Sequence, residues 1–278
     1  MLGDEMELKS IEDTVARPTV RIIRAPAASQ GPAAFSLQPG DRIRRQIGRL
    51  NLAEASEGDA AGVTLSERYL YGGSVISALA RAPVGTVLSD ARGHVAGFRA
   101  STGTEIGGPS PNGAVTGSEL AGRYDRVLRK RTDPTVLAPE TTAQAEQALF
   151  DASYKGVTDF VTKHVWPVPA LVVTRWCAAR GISPNQVTYA SLVLVFLTFW
   201  LFWQGLFISG LVAAYAMTFL DTVDGKLARV TLTSSKFGDV LDHGTDLIHP
   251  PFWWWAWVVG CSAIGDPLAD GGLALAVI

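Results

Sequence analysis

The sequence predicts an α-helical integral membrane domain preceded by a small soluble α/β domain. Three observations carry this. From Val187 to Leu220 the chain runs 34 residues without a charged side chain, too long for one membrane span and enough for two short ones. All eight tryptophans lie after residue 165. The residues before about 150 instead alternate short apolar runs with charged and Gly/Pro/Ser-rich stretches, the pattern of short strands, helices and loops.

Residues 1–150 form the expected soluble part. The acidic, polar start MLGDEMELKS has no secretory signal pattern. Thr19–Arg24 has strand composition. A basic helix begins near Asp41 and carries Arg42, Arg44, Arg45 and Arg49, which read as a solvated face. Ser74–Arg81 reads as a helix with Ser74 at its N-cap. Thr86–Asp90 and His94–Phe98 read as two short strands around Ala91-Arg-Gly93, and Gly103–Gly117 as a loop. No phosphate-binding glycine signature is present, because no strand-to-helix context surrounds the glycines of 107–113. A net charge of −2 gives no indication of nucleic-acid binding. Two cysteines, Cys177 and Cys261, do not make a disulfide framework.

Residues 151–182 connect the two parts. Thr142–Ala152, rich in Ala, Glu and Gln, is helical by propensity. Tyr154–Trp166 mixes apolar and basic residues as an interfacial helix does. Leu171–Arg180 continues as a short helix that Gly181 can end. Ser183-Pro-Asn-Gln186 then reads as a helix start: Ser183 at the N-cap, Pro184 at the first helical position, Gln186 completing a capping box.

Residues 183–278 form the expected membrane domain. Gln204-Gly205 marks the turn between two spans. A third apolar run, Leu247–Ala263, has Pro250 and Pro251 near its start, which predict a kink or a helix restart. Its tryptophans fit either a membrane boundary or a packed helix interface. Lys163, Arg175 and Arg180 precede the first span, and Lys226, Arg229 and Lys236 lie between the second and third. The positive-inside rule puts the N-terminus and the 221–246 loop on the cytoplasmic side. Gly272–Ile278 reads as the beginning of a fourth span, so the expectation is a fragment or a naturally short chain.

The most informative stretch is DTVDGKLARVTLTSSKFGDVLDHGTD, from Asp221 to Asp246. Asp221, Asp224, Gly225, Ala228 and Arg229 share one face of a helix, and Gly238, Asp242 and Asp246, four apart, share one face of another. Turned toward each other, the two faces would gather four carboxylates, an arrangement that needs cations. Clustered oxygen ligands favour Mg²⁺, Mn²⁺ or Ca²⁺. Gly225, Ala228 and Gly238 leave room for a ligand to approach the backbone.

The spacing D-x2-D-G-x2-A-R-x8-G-x3-D-x3-D resembles the signature of the CDP-alcohol phosphotransferase family, and Pro184-Asn-Gln-Val-Thr188 is similar to that family's Pro-Asn-x-x-Thr before its first span. The fused N-terminal part is weakly similar to the nucleotidyltransferase-like domain of the inositol-phosphate-using branch. Without a recognisable catalytic lysine, it is expected to be non-catalytic.

The resemblance implies a six-span bundle, here apparently truncated after about three spans, that pairs as a homodimer. It implies two Mg²⁺ or Mn²⁺ ions on Asp221, Asp224, Asp242 and Asp246, with Asp246 also the general base. It implies that Asn185, Thr188, Gly225, Ala228, Arg229 and Gly238 bind the nucleotide. The expected activity is transfer of a substituted phosphate from a CDP-alcohol to a hydroxyl acceptor, releasing CMP. Lys226, Lys236, Arg175 and Arg180 are candidates for an acceptor phosphate. Two other readings are a non-catalytic membrane protein that binds divalent cations and an inactive membrane anchor.

Overall fold

In the computed structural model the chain divides into two units, Met1–Ala148 and Leu149–Ile278. Residues 18–25, 30–56, 62–99, 113–121, 124–125, 130–131, 136–155, 159–234 and 236–263 are described.

In the first unit β1 (Val20–Ile23) runs parallel to β2 (Val63–Ser66), paired Val20 to Val63. The link between them contains α1 (Pro39–Arg49), which begins on a proline and buries Ile43 and Ile47, one turn apart. A short strand β3 (Leu70–Tyr71) and α2 (Val75–Arg81) follow, then β4 (Val87–Ser89), β5 (Val95–Arg99) and β6 (Val115–Thr116). Five of the described strands make one sheet in the order β1-β2-β5-β4-β6, antiparallel at β2–β5 and β5–β4 and parallel at its two edges. Val20, Val63, Leu65, Leu88 and Ala96 of the sheet bury against Ile43, Ile47, Val75 and Leu79 of the helices. The Tyr71 hydroxyl is enclosed there. It accepts from Ser66 N at 2.9 Å and stands 2.7 Å from Ala96 O, and burial pushes its pKa far above the usual tyrosine value.

The strands expected at 19–24, 86–90 and 94–98 are present within a residue or two. Ser74 precedes α2, but its side chain does not cap it; its carbonyl instead accepts from Ser77 Oγ at 2.9 Å. The expected loop at 103–117 lies largely outside the described residues, and its last residues form β6 and the start of α3 (Gly117–Leu120). Short pairs β7 (Tyr124–Asp125) with β8 (Lys130–Arg131), and β3 with β9 (Val136–Leu137), complete the described strands, and α4 (Thr142–Ala152) follows.

The second unit is helical: α5 (Phe160–His164), α6 (Pro167–Ala179), α7 (Pro184–Trp203), α8 (Phe207–Val230) and α9 (Lys236–Ala263). Local chemistry sets the ends. Asp159 caps α5 through Thr162 N at 2.9 Å, and hydrogen bonds from the Thr162 side chain and then its backbone hold the Asp159 carboxyl below its usual pKa. Gly181, at φ +67, ends α6, with Ile182 N reaching Cys177 O at 2.9 Å and Gly181 N reaching Ala178 O at 3.2 Å. The Ser183/Gln186 capping box starts α7. Gly205, at φ +72, closes it with the same pair of bonds, from Leu206 N to Leu201 O and from Gly205 N to Phe202 O. The interfacial helix expected over 154–166 is shorter: its described helical part is α5, and residues 156–158 lie outside the described residues.

α7 and α8 pack along each other, α6 lies on α8, and α9 lies mainly on α7. By length and composition α7 and α8 can each cross a membrane. Small residues permit the approach. A Cβ on Gly210 would strike the Phe202 ring, and one on Gly260 would strike Phe202 O. The tryptophans are used in the packing: Trp253 and Trp257 meet the Phe202 ring edge-on at 6.0 and 4.9 Å, and Trp253 Nε1 donates to Val195 O at 3.1 Å.

Of the kink or helix restart expected at Pro250 and Pro251, the restart is overturned: α9 runs through both prolines. A proline removes one helical N–H donor, and the ring of the adjacent His249 adds a bond within this turn, Nδ1 to Thr245 O at 2.7 Å. A carbonyl only accepts, so Nδ1 carries the proton. Lys226, a candidate for an acceptor phosphate, is 2 % exposed.

Candidate active site at the start of α7 and the end of α8

Asp221, Asp224, Gly225, Ala228 and Arg229 occupy the last three turns of α8. The helix stops one residue after Arg229. Thr233 N reaches back to Ala228 O at 3.0 Å and Leu232 N to Arg229 O at 3.4 Å. This is the same closing motif as at Gly181 and Gly205, with Leu232 at φ +56 in the position glycine usually takes. A side chain there costs about 1 kcal/mol, and no glycine in the sequence announces the turn.

The carboxylates differ in environment. Asp224 is 5 % exposed and Asp221 half-buried. Thr188, on the second turn of α7, points its hydroxyl at Asp224, with Oγ1 2.6 Å from Oδ2. The Thr188 oxygen also lies 3.1 Å from Pro184 O. Asn185, one turn before Thr188, is half-buried. The helix-start motif and the aspartate motif, read separately in the sequence, therefore meet at one hydrogen bond between α7 and α8.

Arg229 lies back across Gly225. A Cβ built on Gly225 would meet its guanidinium nitrogens at 3.2 and 3.3 Å. The fork of donors is held on the face that also carries Asp221 and Asp224.

Lys226 points elsewhere. Its ammonium stands 2.8 Å above the centre of the Tyr154 ring and 4.7 Å from that of Phe150. The sequence reading missed this pair, because the aromatics lie more than seventy residues upstream.

α9 brings Gly238, half-buried, and Asp246, exposed. The side chain of Asp242 lies outside the described residues, as does that of Lys236. Among the described residues no three acidic, histidine or cysteine side chains converge as a metal cluster. The donor set on α8 nevertheless fits a hard divalent ion in kind: two carboxylates one turn apart, one of them buried and oriented. Along the middle of α7, α7 and α9 line a partly open apolar cavity of about 490 Å³, with Val195, Phe196, Phe199, Gly244, Ile248 and Phe252 among its walls.

Part of the chain is similar to known proteins. Residues 181–277 match the family model described as CDP-alcohol phosphatidyltransferase. A stretch of 70 residues is 40 % identical to the archaetidylinositol phosphate synthase of Pyrococcus horikoshii, covering 25 % of this chain and 37 % of that protein. The chain thus spans little more than a third of the length of the curated relative it matches. Over residues 181–277, which include Asn185, Thr188 and the whole 221–246 motif, the chain is similar to the CDP-alcohol phosphatidyltransferase family.

Proposed function

We propose that the chain transfers a substituted phosphate from a CDP-linked alcohol to a hydroxyl acceptor and releases CMP, within a membrane. The observation that carries this reading is the coupling of the two motifs: the Pro184-Asn-Gln-Val-Thr188 helix start reaches Asp224 of the aspartate motif directly. In this reading Asp221, Asp224, Asp242 and Asp246 hold two Mg²⁺ or Mn²⁺ ions, which supply neutralisation of the charge on the diphosphate. Gly225, Ala228 and Gly238 admit the nucleotide close to the helices, Asn185 contacts it, and Arg229 offers paired donors to a phosphate oxygen.

The acceptor hydroxyl oxygen forms the new bond to the phosphorus bearing the alcohol, and the bond from that phosphorus to the CMP oxygen breaks. The hydroxyl proton passes to the Asp246 carboxylate. The exposure of Asp246 suits a group that meets a soluble acceptor. The apolar cavity between α7 and α9 suits the hydrocarbon part of a lipid donor. The similarity to a protein named for an inositol phosphate product favours an inositol phosphate as acceptor over glycerol phosphate or serine. The basic residues around the spans favour a cytoplasmic site, and the family resemblance favours a homodimer.

The test is to supply a CDP-linked lipid with each of these acceptors to the purified chain and to identify the product lipid by mass spectrometry. An inositol phosphate lipid as the main product supports the assignment. A product with another acceptor alone removes that acceptor, and no product with any acceptor removes the transferase reading.

A further inference from the structure

We propose that Thr188 is a positioning residue that holds the Asp224 carboxylate in one orientation, and that this is the use of its hydroxyl rather than contact with a nucleotide. The inference rests on the transferase reading for its chemistry but on geometry for its substance.

A threonine hydroxyl has one proton. Two acceptors lie within reach of Thr188 Oγ1: Asp224 Oδ2 at 2.6 Å and Pro184 O at 3.1 Å. The shorter bond, to the carboxylate oxygen, takes the proton; an ionised acceptor binds a donor about twice as strongly as a neutral one. Both side chains are buried, at 8 % and 5 % exposure, where water competes little for the bond. The donor is also stiff. Threonine is branched at Cβ, with few rotamers on a helix, and it sits one turn beyond a start fixed by the Ser183/Gln186 capping box and Pro184. A rigid helix start therefore delivers a fixed donor to a carboxylate 36 residues away. Holding one carboxylate oxygen orients the other, as hydrogen-bond partners of metal-binding carboxylates commonly do.

The test uses the full chain in detergent with Mn²⁺ as the probe, its binding followed by the electron paramagnetic resonance signal of free Mn²⁺. Thr188→Val keeps the shape and removes the hydroxyl. It is expected to weaken Mn²⁺ binding about 10- to 100-fold, while Thr188→Ser, which retains the donor, stays within about threefold of the parent chain. At saturating Mn²⁺ the KM for the CDP-alcohol should change little in either variant. Thr188→Val binding Mn²⁺ like the parent chain, or raising the donor KM with Mn²⁺ affinity intact, would overturn the proposal in favour of a nucleotide contact. Failure of Thr188→Ser to restore binding, or absence of Mn²⁺ binding by the parent chain, would overturn it as well. If the parent chain binds Mn²⁺ yet releases no CMP, the transferase reading fails while the ratio between Thr188→Val and the parent chain still decides this one.

Discussion

The Lys226 ammonium stands 2.8 Å above the ring centre of Tyr154, so a buried cation on the motif helix is held by an aromatic face just beyond α4. Such a contact contributes about 2 kcal/mol when desolvated. The Tyr154 hydroxyl is buried without a hydrogen-bond partner among the described residues, and burial raises its pKa. The two parts of this side chain should therefore behave oppositely. Tyr154→Phe keeps the ring and discards an unsatisfied hydroxyl, so it should leave stability unchanged or raise it by up to about 1 kcal/mol. Tyr154→Leu removes the π face and should lower stability by about 1–2 kcal/mol. Thermal unfolding of the full chain, with hydrogen exchange over 149–155, checks both.

Gly225 is expected to be more important for activity than for stability. A methyl group there meets the Arg229 guanidinium at 3.2–3.3 Å, the movable end of a flexible side chain. Gly225→Ala gains about 1 kcal/mol of helix propensity, offset in part by the displaced guanidinium. The expected result is a Tm equal to or above that of the parent chain, with CMP release reduced about tenfold or more. A Tm that falls together with activity would assign Gly225 to packing alone.

Gly260 is the reverse case. An added Cβ strikes Phe202 O and lies 3.1 Å from Gly205 N, backbone atoms in the last turn of α7 and in the turn that follows it. Backbone cannot rotate away, so α9 must shift on α7. Gly260→Ala should cost about 1–3 kcal/mol. Tryptophan fluorescence should report the change, because Trp253 and Trp257 pack on Phe202.

The parts of this arrangement that were legible in the sequence are local. Ser183, Pro184 and Gln186 announce the start of α7, and Gly181 and Gly205 announce the ends of α6 and α7, because caps and left-handed turns draw on residues within one turn of chain. The uncharged 187–220 run revealed two helices by length alone. The parts that were not legible depend on distance or on compensation. Nothing near Thr188 says that its hydroxyl meets Asp224, and nothing near Lys226 says that it is buried among aromatics. The end of α8 is set by Leu232 in a conformation that usually selects glycine. α9 passes through Pro250 and Pro251 without the restart that prolines inside a helical pattern suggest. The aspartates were legible as a spacing. Their assembly across α8 and α9 is a claim about tertiary structure that spacing does not contain.

Phosphoryl transfer is tested by divalent-cation-dependent CMP release from a CDP-alcohol by membranes carrying this chain, beside membranes carrying Asp246→Asn at equal expression. Release by the first should disappear on chelation of the cation and be lost in the second. CMP release by Asp246→Asn at the parent rate would contradict the role of Asp246 as base, and no release from either membrane with any acceptor would contradict the transferase.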